Sequence, residues 1–220
     1  MTTIFSSSIG KKLVMSLSGF FLMMFLVVHA VANVMILFGE ESYNAACNFM
    51  DTNPVIQIMV PVLAFGVFIH VVYAVYLTLT NRYARGAVRY AVPNKGKASS
   101  WASRNMFVLG LIIFGFLCLH LFHFWAKMQL QHFIGGEAEA NPYGLVKQLF
   151  QNPLYCLIYW IWLSALWFHL SHGCWSAFQT IGMNNSGWIK RWKLIALIYA
   201  TIIVPVFALV PIWFLLGFGG

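Results

Sequence analysis

The chain has 220 residues, of which 61% are hydrophobic and only 8% charged, with a formal net charge of +8. A soluble domain carries about a quarter charged residues, so this composition excludes a soluble globular enzyme and a disordered chain. The 13 Lys and Arg against 5 Asp and Glu are separated by long apolar runs, which excludes a nucleic-acid-binding face.

Five stretches can cross a bilayer: residues 13–38, 54–80, 105–126, 153–181 and 194–218. A hydrocarbon core about 30 Å thick needs about 20 apolar residues of helix. None of the five contains Asp, Glu, Lys or Arg. Strands would have to close into a barrel, and these runs do not alternate polar with apolar residues. The expected fold is all-α: an integral membrane bundle of five transmembrane helices, forming one domain over residues 1–220. No internal repeat, low-complexity tract or soluble domain is visible. The first stretch follows Lys11-Lys12 and contains Ala30-Val31-Ala32, which imitates a signal-peptide cleavage site. Its apolar run before that point is longer than the about 7–15 residues of a signal peptide, so it is read as an uncleaved span.

Loop charges set the orientation. Lys11 and Lys12 precede the first span. Arg82, Arg85, Arg89, Lys95, Lys97 and Arg104 lie between the second and third, and Lys190, Arg191 and Lys193 between the fourth and fifth. These segments share one side and hold eleven cations and no acid. The opposite side has Lys127 and Lys147 with all five acids, Glu40, Glu41, Asp51, Glu137 and Glu139. The positive-inside rule makes the cationic side cytoplasmic, with the N-terminus inside. Trp101, Trp125, Tyr155, Trp188 and Trp192 near the helix ends read as an interfacial belt.

Ionisable residues inside a membrane are costly and mark function by default. Here they are histidines: His29, His70, His120, His123, His169 and His172 lie in spans, and His132 in an outer loop. His29 is 17 residues past Lys12 and His120 is 16 past Arg104, so both sit roughly 25 Å from the inner boundary at 1.5 Å per residue. His70 precedes Arg82 by 12 residues and His169 precedes Gly182 by 13, which puts both at roughly 18–20 Å. The depths sort into an outer pair, His29 with His120, and an inner pair, His70 with His169.

Two imidazoles at one depth on different helices suit a bis-histidine haem b, one nitrogen at each axial position of the iron. Two such haems at different depths make an electron relay across the bilayer. No CxxCH motif offers a covalent haem site, and Cys47, Cys118, Cys156 and Cys174 are too scattered for an iron–sulfur cluster. The doublets His120-x-x-His123 and His169-x-x-His172 lack the glutamate of a zinc-protease motif. Members of a doublet project from one side of a helix. Spacing leans toward His120 and His169 and leaves His123 and His172 as alternatives. Gly66 and Gly173, one turn from two of these histidines, offer either room for a porphyrin or ordinary close helix packing.

At these residues the sequence resembles the diheme cytochrome b membrane-anchor subunits of bacterial succinate dehydrogenase and fumarate reductase. The resemblance spans nearly the whole chain. It rests on Val28-His29-Ala30-Val31-Ala32-Asn33, on Tyr43-Asn44-Ala45-Ala46 with Phe49-Met50-Asp51, and on His70-Val71-Val72-Tyr73-Ala74-Val75-Tyr76. Arg104-Asn105-Met106-Phe107-Val108-Leu109 and Phe168-His169-Leu170-Ser171-His172-Gly173-Cys174-Trp175-Ser176 complete it.

The resemblance implies that His29 and His120 hold the outer, distal haem iron, and His70 and His169 the inner, proximal one. It implies two partners on the cytoplasmic side: a flavoprotein subunit with covalent FAD, where succinate and fumarate interconvert, and a subunit with iron–sulfur clusters. Electrons would then pass between the iron–sulfur subunit and menaquinone in a bacterial cytoplasmic membrane, with no succinate chemistry in this chain. The cations from Arg82 to Arg104 would serve either as the docking surface for the iron–sulfur subunit or for orientation alone. Quinone reduction needs a proton donor beside the ring, and Asp51, with Glu40 and Glu41 behind it, is the best-placed acid. Some relatives carry a glutamate in the fourth helix for transmembrane proton movement. Here the corresponding stretch reads Ala165-Leu166-Trp167-Phe168, so that route is not expected. The rival readings are a cytochrome b subunit of a hydrogenase or formate dehydrogenase, and a haem-free transporter or structural membrane protein.

Overall fold

The computed structural model describes residues 7–85 and 100–218. Arg89, Lys95 and Lys97 of the cationic connection lie outside the described residues. The described chain is helical, in the order α1 Ser8–Val34, a 3₁₀ turn Met35–Phe38, α2 Glu40–Thr52, α3 Pro54–Arg85, α4 Trp101–Arg104 and α5 Met106–His120. A π-helical turn Leu121–Trp125 follows, then α6 Gln129–Ile134, α7 Pro142–Phe150, α8 Pro153–Thr180 and α9 Ser186–Leu215. Among the described residues, five helical segments are long and apolar enough to span a membrane: Ile9–Phe38, Pro54–Arg85, Met106–Trp125, Pro153–Thr180 and Ser186–Leu215.

Side-chain caps fix where these rods begin. The Ser7 hydroxyl accepts from the Gly10 N–H at 3.0 Å and opens α1. Asn53 accepts from the Val55 N–H at 3.0 Å, and Pro54 begins α3 at the position where a missing N–H costs nothing. Asn152 with Pro153 repeats the device at α8. Asn185 accepts from the Trp188 N–H at 2.9 Å, so α9 starts at Ser186, ahead of its apolar run. Lys190, Arg191 and Lys193 therefore ride on the first turns of a helix. At Gly39 φ is 100°, a conformation open to glycine, and the chain turns there into α2.

Successive long helices run in opposite directions, so α1 and α9 are parallel and both antiparallel to α8. The α8–α9 contact is the most extensive; α1 lies against α3, α8 and α9, and α5 against α8. Ala196 and Ala200 are fully buried, because small residues let membrane helices approach closely. Ala200 packs in a cluster with Leu163, Leu166, Leu170 and Val204. Polar ties are sparse: the Tyr199 hydroxyl donates to the Met23 carbonyl at 2.7 Å, and Trp167 Nε1 donates to Thr201 Oγ1 at 3.1 Å. No side chain of α3 is fully buried. Its outer face shows Phe65 and Phe68, which a lipid solvent accepts and water would not.

Charge divides the bundle into two ends. Lys11 donates to the Tyr76 hydroxyl at 2.7 Å, joining the start of α1 to the end of α3. Arg82 lies 5.3 Å from the Phe107 ring of α5, and Lys193 lies 4.7 Å from the Trp175 ring of α8. This is the basic end. Trp192, near that end, is sandwiched 3.8 Å from the Phe178 ring and 5.3 Å from the Trp188 ring. It ties α8 to α9 as well as marking an interface.

The acidic end is closed by α2, α6 and α7. Asn141 is its clamp. Its Oδ1 accepts from the Gly144 N–H at 2.9 Å and from Asn44 Nδ2 at 3.1 Å, while its Nδ2 donates to Glu40 Oε1 at 2.6 Å. Asn44 Oδ1 in turn accepts from the Tyr143 N–H at 2.9 Å. Behind this clamp Ile36, Cys47, Tyr143, Phe150, Cys156 and Phe214 form a buried cluster. Asn141→Ala removes a helix cap and two cross-helix bonds at once, and is expected to cost about 1–2 kcal/mol. Thermal melting in detergent should register the lower midpoint.

Candidate haem centres

Each of α1, α3, α5 and α8 brings one histidine to a partner on another helix; α9 has none. His29 of α1 and His120 of α5 have ring centroids 5.8 Å apart at 87°. His70 of α3 and His169 of α8 have centroids 6.4 Å apart at 68°. The first pair lies toward the acidic end, at the C-terminal parts of α1 and α5. The second lies nearer the basic end. Two imidazoles that bind one metal from opposite sides have centroids roughly 6 Å apart, since each metal–nitrogen bond is about 2 Å and the ring half-widths add the rest.

Unsatisfied nitrogens mark both pairs. His120 Nδ1 and His169 Nδ1 are buried with no hydrogen-bond partner, which costs about 1–3 kcal/mol for a buried polar group. His70 Nδ1 sits 3.1 Å from the Ser18 hydroxyl. His29 Nε2 has only a long 3.4 Å contact with Asn33 Nδ2, whose short bond, 2.8 Å, goes to the His29 carbonyl. The donor set is two pairs of facing imidazoles, one pair from α1 and α5 and one from α3 and α8. No group of three or more His, Cys, Asp or Glu side chains suited to a metal ion occurs among the described residues. Two ligands per centre fit a metal whose other positions are supplied by a macrocycle, as in haem.

The walls are apolar. Phe25 stacks on His29 at 5.3 Å and Phe207 approaches it at 5.4 Å. Phe124 and Trp162 lie 5.2 Å and 5.7 Å from His120. At the other pair glycines face the rings. A Cβ on Gly19 would lie 3.6 Å from His70 Cε1, and one on Gly110 would lie 4.0 Å from His169 Cε1. Gly66 has a different use: a Cβ there would lie 2.7 Å from Phe21 Cε1, so it lets α1 and α3 meet. Gly173 opens onto free space.

The doublets divide. It is His120 that faces His29, and His169 that faces His70. His123 is buried, with its Nδ1 3.0 Å from the Tyr159 hydroxyl and its ring stacked on Tyr159. His172 Nδ1 is buried without a partner, and its ring lies 4.9 Å from Trp175. Directly after His120 the helix widens into the π-helical turn that carries His123, where the Ala126 N–H donates to the Leu121 carbonyl at 2.7 Å. Such turns gather at functional sites. Sequence reasoning missed this turn, and also Ser18, Asn33 and Tyr159. Ser18 and Asn33 leave only a polar residue in an apolar run as a trace, and Tyr159 and the turn leave none.

Asp51 stands at the C-terminal end of α2, its Oδ2 3.6 Å from His132 Nε2. Burial raises its carboxyl pKa, and His132 only partly offsets this. Beside it Gln129 Nε2 donates to Gln57 Oε1 at 2.7 Å, and Gln57 Nε2 donates to the Met50 carbonyl at 3.0 Å. Cys47, one turn back on α2, is buried and its thiol is pushed up to about 11. Glu40 serves the Asn141 clamp.

Fold and histidines together define a class: a helical membrane protein with five candidate spans among the described residues and two cross-helix histidine pairs at different heights in the bundle. Over 161 residues, covering 73% of each chain, the sequence is 26% identical to the succinate dehydrogenase cytochrome b558 subunit of Bacillus subtilis (strain 168). That similarity bears out the resemblance to a succinate dehydrogenase cytochrome b subunit. No family model matches the chain, and no solved structure matches it.

Proposed function

We propose that this chain is the membrane-anchor cytochrome b subunit of a succinate dehydrogenase or fumarate reductase. Residues 1–220 form one transmembrane domain that holds two haems b, His29 and His120 at the outer iron and His70 and His169 at the inner iron. The observation that carries this reading is the pair of cross-helix imidazole contacts, 5.8 Å and 6.4 Å, at two depths. Held by one imidazole pair, a haem would supply single-electron transfer. The chain supplies the four imidazoles, keeps water away with Phe25, Phe124, Trp162 and Phe207, and spaces the two centres along the membrane normal. Charge moved across the bilayer along that direction is worth about 2.3 kcal/mol per 100 mV.

The basic end faces the cytoplasm. It receives the iron–sulfur subunit, which bridges to a flavoprotein holding FAD, and the succinate chemistry belongs there. Menaquinone is the membrane-side electron partner, at the acidic end of a bacterial cytoplasmic membrane. Purification of the tagged chain from its native membrane tests the assignment. Co-purifying flavoprotein and iron–sulfur subunits that oxidise succinate are expected. Hydrogenase or formate dehydrogenase subunits in their place would overturn it.

Asp51 is assigned the proton exchange with quinone. Its raised pKa keeps the carboxyl protonated to higher pH than an exposed aspartate, so it can donate until pH rises through that pKa. Quinone reduction is therefore expected to fall as pH rises through that range. In Asp51→Asn the rate should drop by roughly a hundredfold and lose that pH dependence, with both haems retained. Steady-state quinone reduction across pH makes the comparison.

A further inference from the structure

Of the four proposed axial histidines, His70 alone has its second ring nitrogen held by a side chain from another helix among the described residues. His120 Nδ1 and His169 Nδ1 are buried without partners, and the contact at His29 is to Nε2, a long one from Asn33 on the same helix. Ser18 of α1 is nearly fully buried. Its Oγ lies 3.0 Å from the Met15 carbonyl and 3.1 Å from His70 Nδ1. A carbonyl can only accept, and a serine hydroxyl carries one proton. Both contacts become hydrogen bonds only if Ser18 donates to Met15 and accepts from a protonated Nδ1 of His70. Were the hydroxyl turned to donate to Nδ1, the Met15 contact would be lost and the proton of His70 would sit on Nε2. Gly19 closes over the same edge of the ring, with no side chain to push it aside.

We infer that Ser18 is a positioning residue for the inner iron: it fixes the His70 tautomer that leaves Nε2 bare for the metal, and makes that imidazole the more basic ligand of its pair. This rests on the haem assignment proposed above. A ligand histidine that donates its other N–H to a fixed acceptor is oriented and becomes more basic. A more basic imidazole favours the ferric state, which carries the higher charge. Removing the acceptor should raise the inner midpoint potential. The outer pair, which Ser18 does not touch, should be unmoved.

The test is an optical redox titration of the intact complex carrying native chain, Ser18→Ala or Ser18→Thr. The inner component is identified as the one absent in His169→Ala. Ser18→Ala is expected to shift that component upward by roughly a tenfold change in its ferric/ferrous equilibrium, about 59 mV for one electron, and Ser18→Thr to restore it. Loss of the inner haem in Ser18→Ala with recovery in Ser18→Thr also supports the inference. An unmoved inner potential, a shift confined to the outer haem, or loss of haem in both variants overturns it while leaving the haem assignment standing. A native complex without haem would instead remove the assignment itself.

Discussion

Replacing His120 with alanine is expected to remove the outer haem and about half of the b-type absorbance of the purified complex. In the proposed assignment the His120 imidazole would bind the metal, so truncation would delete one of two protein ligands outright. The surroundings offer no substitute: Phe124, Trp162 and Tyr159 line the His120 ring, and His123 is engaged with Tyr159. His29→Ala should have the same effect, because either ligand alone leaves the centre incomplete. The double variant should be no worse than either single one, as for residues that act as a unit. The inner pair is on other helices and should keep its haem. Haem content per chain, with separate counts of the two components in a redox titration, reads this directly. Retention of both haems in His120→Ala would move the ligand role to His123.

His169→Ala is expected to have the larger functional effect. The inner pair lies between the basic end and the outer pair, so losing it breaks the connection between the soluble subunits and quinone. Succinate-driven quinone reduction should fall to background. Succinate oxidation with a water-soluble electron acceptor should persist, since the proposed function gives that chemistry to the flavoprotein. His70→Ala should match it. Unimpaired quinone reduction in either variant would mean that electrons reach quinone without the inner centre.

Much of this was legible in the sequence because lipid leaves so few choices. Apolar runs free of Asp, Glu, Lys and Arg read as spanning helices, and five such helices are present among the described residues. The depths of His29, His70, His120 and His169 followed from a fixed rise per residue. The structure brings together the same partners that equal depth suggested. Other features carry no such signature. The helices α2, α6 and α7 are short and mixed in polarity, so nothing separates them from loop in a hydropathy pattern. The start of α9 at Ser186 depends on the Asn185 cap and lies among charged residues. His120 and His123 share a helical face in sequence, and only the π-helical turn and the Tyr159 contact divide their roles. Ser18 and His70 are 52 residues apart, and nothing local announces their hydrogen bond.

The central claim is that four histidines hold two haems b. Its most direct measurement is a reduced-minus-oxidised spectrum of the purified chain, with haem counted against protein. Two b-type haems per chain are predicted; a colourless preparation, or one with haem that survives loss of all four histidines, would contradict the account.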